Sequence, residues 1–128
     1  HDETLNGIPM VDNDIIYDGA AVGDSSGLAR PLVGGDGFMG FCIEQADNTG
    51  PGHAAGAINV KVKSRGVVTL NVAGVSSADD YGAIVYATDD DTFTLTASGG
   101  SAIGRVFRWK AGTTCQVYFQ ATALQDQA

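Results

Sequence analysis

The chain has 128 residues, 44% of them apolar and 17% charged, with 18 glycines and a formal charge of −8 from 7 basic and 15 acidic side chains. That length fits one domain with a core of its own, and the acidic balance excludes a general nucleic-acid scaffold, which needs a net basic footprint to displace counterions from phosphate. Apolar runs are a handful of residues long, too short to span a bilayer, while glycine at about twice its average usage points to short strands and tight turns.

Residues 1–14 carry Asp2, Glu3, Asp12 and Asp14 with no apolar period. They predict an extended arm that stays free unless a partner orders it, ahead of a β-rich body over 15–128. Residues 1–14 do not have the charged-then-apolar pattern of a leader, so no signal peptide is expected within them. Within the body, residues 23–27 (GDSSG) predict the turn of a small hairpin between 20–22 and 28–31. Residues 38–46 alternate with Met39, Phe41 and Ile43 on one side. Residues 47–56 (DNTGPGHAAG) read as a loop lying on the surface.

The clearest period of two follows, with Ile58, Val60 and Val62 facing one way and Asn59, Lys61, Lys63 and then Arg65 the other. Beyond Gly66, the residues Val68, Leu70 and Val72 form the next inner set. Ser77 with Asp80 three residues later makes a shortened capping box, worth one helical turn before Gly82. Short strands at 84–87 and 93–96 flank an Asx-rich turn, Thr88-Asp89-Asp90-Asp91-Thr92. Residues 98–101 and 111–113 read as further turns. Residues 104–110 set Phe107 and Trp109 against Val106, Arg108 and Lys110, and Cys115, Val117, Phe119 and Ala121 alternate with polar neighbours. No stretch has a sustained helical period, so the fold class is all-β.

Candidate chemistry is sparse. Asp89, Asp90 and Asp91 lack the alternating ligands, central glycine and distal glutamate of a calcium loop, so turn chemistry explains them better. A free N-terminal His1 with His53 could chelate copper, but nothing in the sequence brings the two together. Cys42 and Cys115 have no basic neighbour and read as small buried hydrophobes. No nucleophile elbow or phosphate-binding loop is present, and no pair among the fifteen carboxylates stands out. The expectation is a protein without catalysis, cofactor or metal. The basic residues are Arg30, Lys61, Lys63, Arg65, Arg105, Arg108 and Lys110. If the strands that carry them are neighbours, they form one basic patch suited to an acidic protein surface; the plainer alternative is a solvated strand edge guarded by lysine.

Residues 40–46 (GFCIEQA), 60–68 (VKVKSRGVV), 82–96 (GAIVYATDDDTFTLT) and 103–106 (IGRV) together resemble the decoration, or cement, proteins of tailed-bacteriophage capsids. The shared pattern is G-x-x-V-Y, an acidic turn, T-x-T, small residues and I-G-x-V, and it covers roughly residues 15–122. The resemblance implies a β-tulip or small β-barrel body that adds to the outside of the icosahedral head. It also implies the phage major capsid protein as partner, a trimer with neighbouring copies at three-fold positions, and no catalytic residue. On that reading residues 1–14 are the capsid-spanning arm, with Leu5, Ile8, Pro9 and Met10 as apolar anchors. Lys61, Lys63 and Arg65 form a basic contact stripe, and the loop around 51–56 a second contact. The protein is then expected on the outer surface of a virion made in a bacterial cytoplasm, with no specific nucleic-acid or membrane partner. The alternative is a glycan- or receptor-binding module with Trp109 and Tyr118 as stacking platforms.

Overall fold

A strand with one apolar face needs a second layer or a closed wall to cover that face. The chain answers in two halves. The computed structural model describes residues 5–122. Its first half forms a five-stranded antiparallel sheet from β1 (Leu5–Pro9), β3 (Ala21–Ser25), β4 (Leu28–Pro31), β5 (Gly37–Glu44) and β7 (Asn59–Lys63). These strands lie in the order β1-β7-β5-β3-β4. A short pair, β2 (Ile15–Ile16) with β6 (Ala46–Asp47), sits beside it. The second half closes a barrel from β8 (Arg65–Ala73), β9 (Ile84–Ala87), β10 (Phe93–Thr94), β11 (Ser101–Ala111) and β12 (Thr114–Gln120). Around the wall the order is β10-β8-β12-β11-β9, and the two-residue β10 completes the circuit by pairing parallel to β8 and antiparallel to β9. The molecule is all-β, as its periodicity predicts. Among the described residues no helix is long and apolar enough to cross a membrane.

Two apolar clusters fill the interior. The larger includes Leu32, Phe38, Phe41, Val72, Val85, Phe93, Ile103, Val106, Cys115, Val117 and Phe119 and occupies the barrel and its junction with the sheet. The smaller gathers Met10, Ile16, Val22, Cys42, Val60 and Val62 inside the sheet. Strand β5 serves both, because Phe41 points to one cluster and its neighbour Cys42 to the other. Phe41 lies edge-to-face on Phe119 (centroids 4.8 Å, 82°) and on Phe38 (5.4 Å, 73°), and tilted against Phe93 (6.0 Å). Such geometry aligns ring edges with π faces and adds to the area buried.

Local signals are met where they rest on turn chemistry. The hairpin β3–β4 turns at Ser26-Gly27, with the Gly27 N–H donating to Asp24 Oδ1 at 2.7 Å. Ser77 caps a single 3₁₀ turn, Ala78–Asp80, and Asp80 Oδ2 accepts from the Ser76 and Ser77 N–H groups. Asp89 organises its turn by accepting from the Asp91 N–H at 2.8 Å and from Thr92 Oγ1 at 3.1 Å.

Three expectations change. Of the segment 1–14 expected as a free arm, the described part belongs to the body. β1 pairs along its whole length with β7, and Met10 is fully buried in the smaller cluster. The edge of β7 offered an unfilled hydrogen-bond ladder and the smaller cluster an apolar slot, both invisible in a local pattern. In β5, Phe38 and Cys42 are inside while Ile43 is out, because the pairings with β3 and β7 each shift register. Gly40 lies at one shift (φ 125°), and a Cβ there would meet Lys63 O at 2.2 Å, so only glycine permits this close approach. In β11 a further shift between Val106 and Arg108 separates Phe107, which faces outward, from Trp109, which packs on the larger cluster, although alternation places the two on one face.

Because Phe41 touches aromatic rings from sheet and barrel alike, Phe41→Ala is expected to destabilise the protein by about 3–5 kcal/mol. Urea unfolding followed by Trp109 fluorescence and by far-UV circular dichroism should give a single coincident transition before and after the substitution.

Candidate docking face

The outer wall of the barrel differs from the rest of the surface. Strands β8, β9, β11 and β12 carry Arg65, Arg105, Arg108 and Lys110 and not one Asp or Glu, in a chain with fifteen. Register places four outward residues in one row across the wall, because Ile84 pairs with Arg105, Arg105 with Tyr118, and Tyr118 with Val67. The shift in β11 adds the Phe107 ring, 45% exposed, and the capped 3₁₀ turn delivers Tyr81, 72% exposed. Five of the eight large apolar side chains that stand exposed among the described residues therefore collect on or beside this wall. Such clustering is unusual for a surface meant only for water.

The wall has relief. Tyr81, Gly82, Arg105, Val106, Phe107 and Tyr118 line a shallow hollow of about 380 Å³. A second, of about 290 Å³, shares Arg105 and Tyr118 with it and continues to Ile84 and Gln120. Arg105 is held between the two by a hydrogen bond from Nη1 to Gly82 O at 2.9 Å. Gly104 permits the tight seam beneath them, since a Cβ there would lie 2.0 Å from Tyr118 O.

The contact residues expected from sequence are dispersed. Lys61 and Lys63 stand on the outer face of β7, within the five-stranded sheet, and Lys61 Nζ lies 3.3 Å from Glu44 Oε1. Arg65 begins β8 opposite Gln120, so it alone of the three belongs to the barrel wall. The single basic patch conditional on neighbouring strands does not form, because β7 and β11 lie in different sheets. Arg30 is engaged internally: its Nη2 and Nε donate to Asp36 at 2.7 and 3.0 Å and hold that carboxyl below its ordinary pKa. As for the apolar anchors, Met10 is in the core, Ile8 is half-buried against the smaller cluster, and Pro9 is exposed. The Leu5 side chain lies outside the described residues. Buried Met10 cannot reach a partner, since it fills the slot that seats β1.

Other candidates find structural partners. Trp109 rests on the larger cluster and donates from Nε1 to Gly112 O at 3.0 Å, whereas Tyr118 is 41% exposed. His53 Nδ1 bonds Asp12 Oδ1, while His1 lies outside the described residues. The loop 47–56 is exposed apart from Asn48, whose Nδ2 donates to Val11 O and Ala54 O and staples the loop down. Cys42 and Cys115 are free, buried, and in different clusters; burial raises both thiol pKa values, and Cys42 donates to Glu44 O at 3.0 Å.

The sequence reading did not single out Val67, Tyr81, Ile84 and Phe107. A signal was present for Phe107 alone, since residues 92–125 contain no Asp or Glu, a long acid-free stretch in so acidic a chain; nothing local marked the other three. Compared with known proteins, the sequence matches no family model and no curated protein.

Two outcomes follow from the buried groups. Burial first, then repulsion from Asp89 and Asp91, raises the Asp90 carboxyl above its ordinary pKa. An acid whose pKa is higher folded than unfolded weakens the fold wherever it is charged. Asp90→Asn is therefore expected to raise the urea midpoint at pH 7, and the gain should shrink as pH falls through the raised value and vanish below the ordinary carboxylate range. Separately, a thiol reagent such as DTNB should leave the native protein essentially unlabelled and react with two thiols once it is unfolded in urea.

Proposed function

We propose that the chain is a capsid decoration protein of a tailed bacteriophage. It binds the outer surface of the head, bridges neighbouring major capsid protein subunits and stabilises the shell, with no catalytic step. The observation that carries this reading is the acid-free barrel wall with its clustered exposed aromatic and aliphatic side chains, a surface whose chemistry suits being covered by protein. The motif order of residues 40–106 supports the same class. So does the rigid body, in which sheet and barrel share one aromatic junction. A pressurised shell is weakest at its capsomer joints. A stiff domain across a joint needs only modest affinity per contact, because simultaneous contacts multiply through effective concentration. On the head it assembles with neighbouring copies, as a trimer at three-fold positions.

One observation favours a glycan-binding alternative, namely Tyr118 exposed beside Tyr81 on a shallow hollow. Its second expected platform, Trp109, is half-buried against the larger cluster.

The test is co-sedimentation. Purified protein mixed with undecorated heads should pellet with them and raise the temperature at which they release DNA. Protein that stays in the supernatant across a range of salt concentrations defeats the decoration reading, and specific binding on a glycan array would establish the alternative.

A further inference from the structure

We infer that the barrel wall is built for an acidic protein surface that carries one aromatic or aliphatic anchor, the anchor seated between Tyr81, Phe107 and Tyr118. The inference rests on the decoration reading for the identity of the partner, and on the wall alone for its chemistry.

Charge supplies the first argument. All fifteen acidic residues lie outside strands β8, β9, β11 and β12, and those strands hold four basic ones. An acidic partner is repelled by most of this molecule and attracted by one side of it. Complementary potentials of this kind orient the encounter and raise its rate more than they raise affinity. Shape supplies the second. The hollow of about 380 Å³ has aromatic walls, a floor at Val106, and Arg105 at its edge tied to Gly82 O. It accepts one large side chain, and Tyr and Arg around a desolvated pocket are the residue types that dominate interface energies. Arg65 and Arg108 stand further out on the same face, opposite Gln120 and Gln116, where they can meet carboxylates around the anchor. Nucleic acid is the weaker fit, because the surrounding charge of −8 opposes a polyanion that extends beyond the wall.

Four probes test this by fluorescence anisotropy: an Asp/Glu-rich peptide of about 15 residues with a central Phe, the same peptide with a central Ser, a Lys-rich counterpart with Phe, and an oligothymidylate of similar length. The acidic Phe peptide should bind at least about tenfold tighter than the Ser or Lys peptides. Arg105→Glu and Tyr118→Ser should each weaken it by about tenfold. Both side chains are exposed, so an unchanged Tm shows that the variants fold. Lys61→Glu with Lys63→Glu, on the other sheet, should leave binding within about twofold. The same variants are then sedimented with undecorated heads. Heads that bind wild type but release the wall variants support the inference. Heads that bind wild type and wall variants equally overturn it and leave the decoration reading standing. Wall-dependent peptide binding with no attachment to heads sinks the decoration reading and leaves the acidic-partner chemistry in place. Binding of neither peptide nor heads defeats both. Tightest binding to the oligothymidylate, or a wall-dependent dimer without peptide binding, overturns the acidic-protein partner.

Discussion

Everything in this molecule hangs on the edge-to-face packing of Phe41 against Phe119. Strand β5 belongs to the sheet and β12 to the barrel, and these two rings, 4.8 Å apart at 82°, are where the two halves share a core. Phe38 and Phe93 extend the contact to either side. A five-stranded sheet and a barrel closed by a two-residue strand are each small for independent stability. A common aromatic junction lets both count the same buried area.

Polar groups reinforce that junction. The Ala21 N–H donates to Asp90 O at 2.9 Å, the Gly35 N–H to Ser101 Oγ at 3.0 Å, and the Phe38 N–H to Thr122 Oγ1 at 2.7 Å. Each joins a residue of the sheet half to one at the barrel or just beyond it. Among the described residues no buried side-chain nitrogen or oxygen is left without a partner, which avoids the desolvation penalty such a group would carry. The cost of the arrangement appears at Asp90, whose carbonyl is used for the seam while its carboxyl is crowded by Asp89 and Asp91. The triplet Asp89-Asp90-Asp91 stands in a turn, and strands β8, β9, β11 and β12 carry no acidic side chain. The wall's four cations consequently have no carboxylate on their own strands; the turn Ala78–Asp80 at the edge of the wall brings Asp79 and Asp80 beside Tyr81.

The legible part of this fold was local. Asp24, Ser77 and Asp89 bond backbone within a few residues, so their turns and cap follow from sequence order alone. The alternations at 58–62 and 115–121 also held, because no register shift interrupts β12 against β8 and Val60 and Val62 face one cluster. Residues 38–46 and 104–110 misled for one physical reason. A bulge inserts an unpaired residue and reverses which parity faces inward. Simple alternation puts Phe107 and Trp109 on one face; the bulge between Val106 and Arg108 parts them and leaves the Phe107 ring on the wall.

By itself, then, the sequence determined an acidic all-β chain, most of its turns, and the acid-free stretch 92–125 that carries Arg105, Arg108 and Lys110. Those properties live in composition or in contacts a few residues long. Tertiary structure alone decided that Leu5–Pro9 is a sheet strand, that Met10 is core, that Lys61 and Lys63 stand apart from Arg105 and Arg108, and that Tyr81, Phe107 and Tyr118 meet around one hollow. Each of these depends on which strand lies beside which, and in what register. Pairing between distant segments is set by the best simultaneous burial of all of them, not by any one segment's pattern.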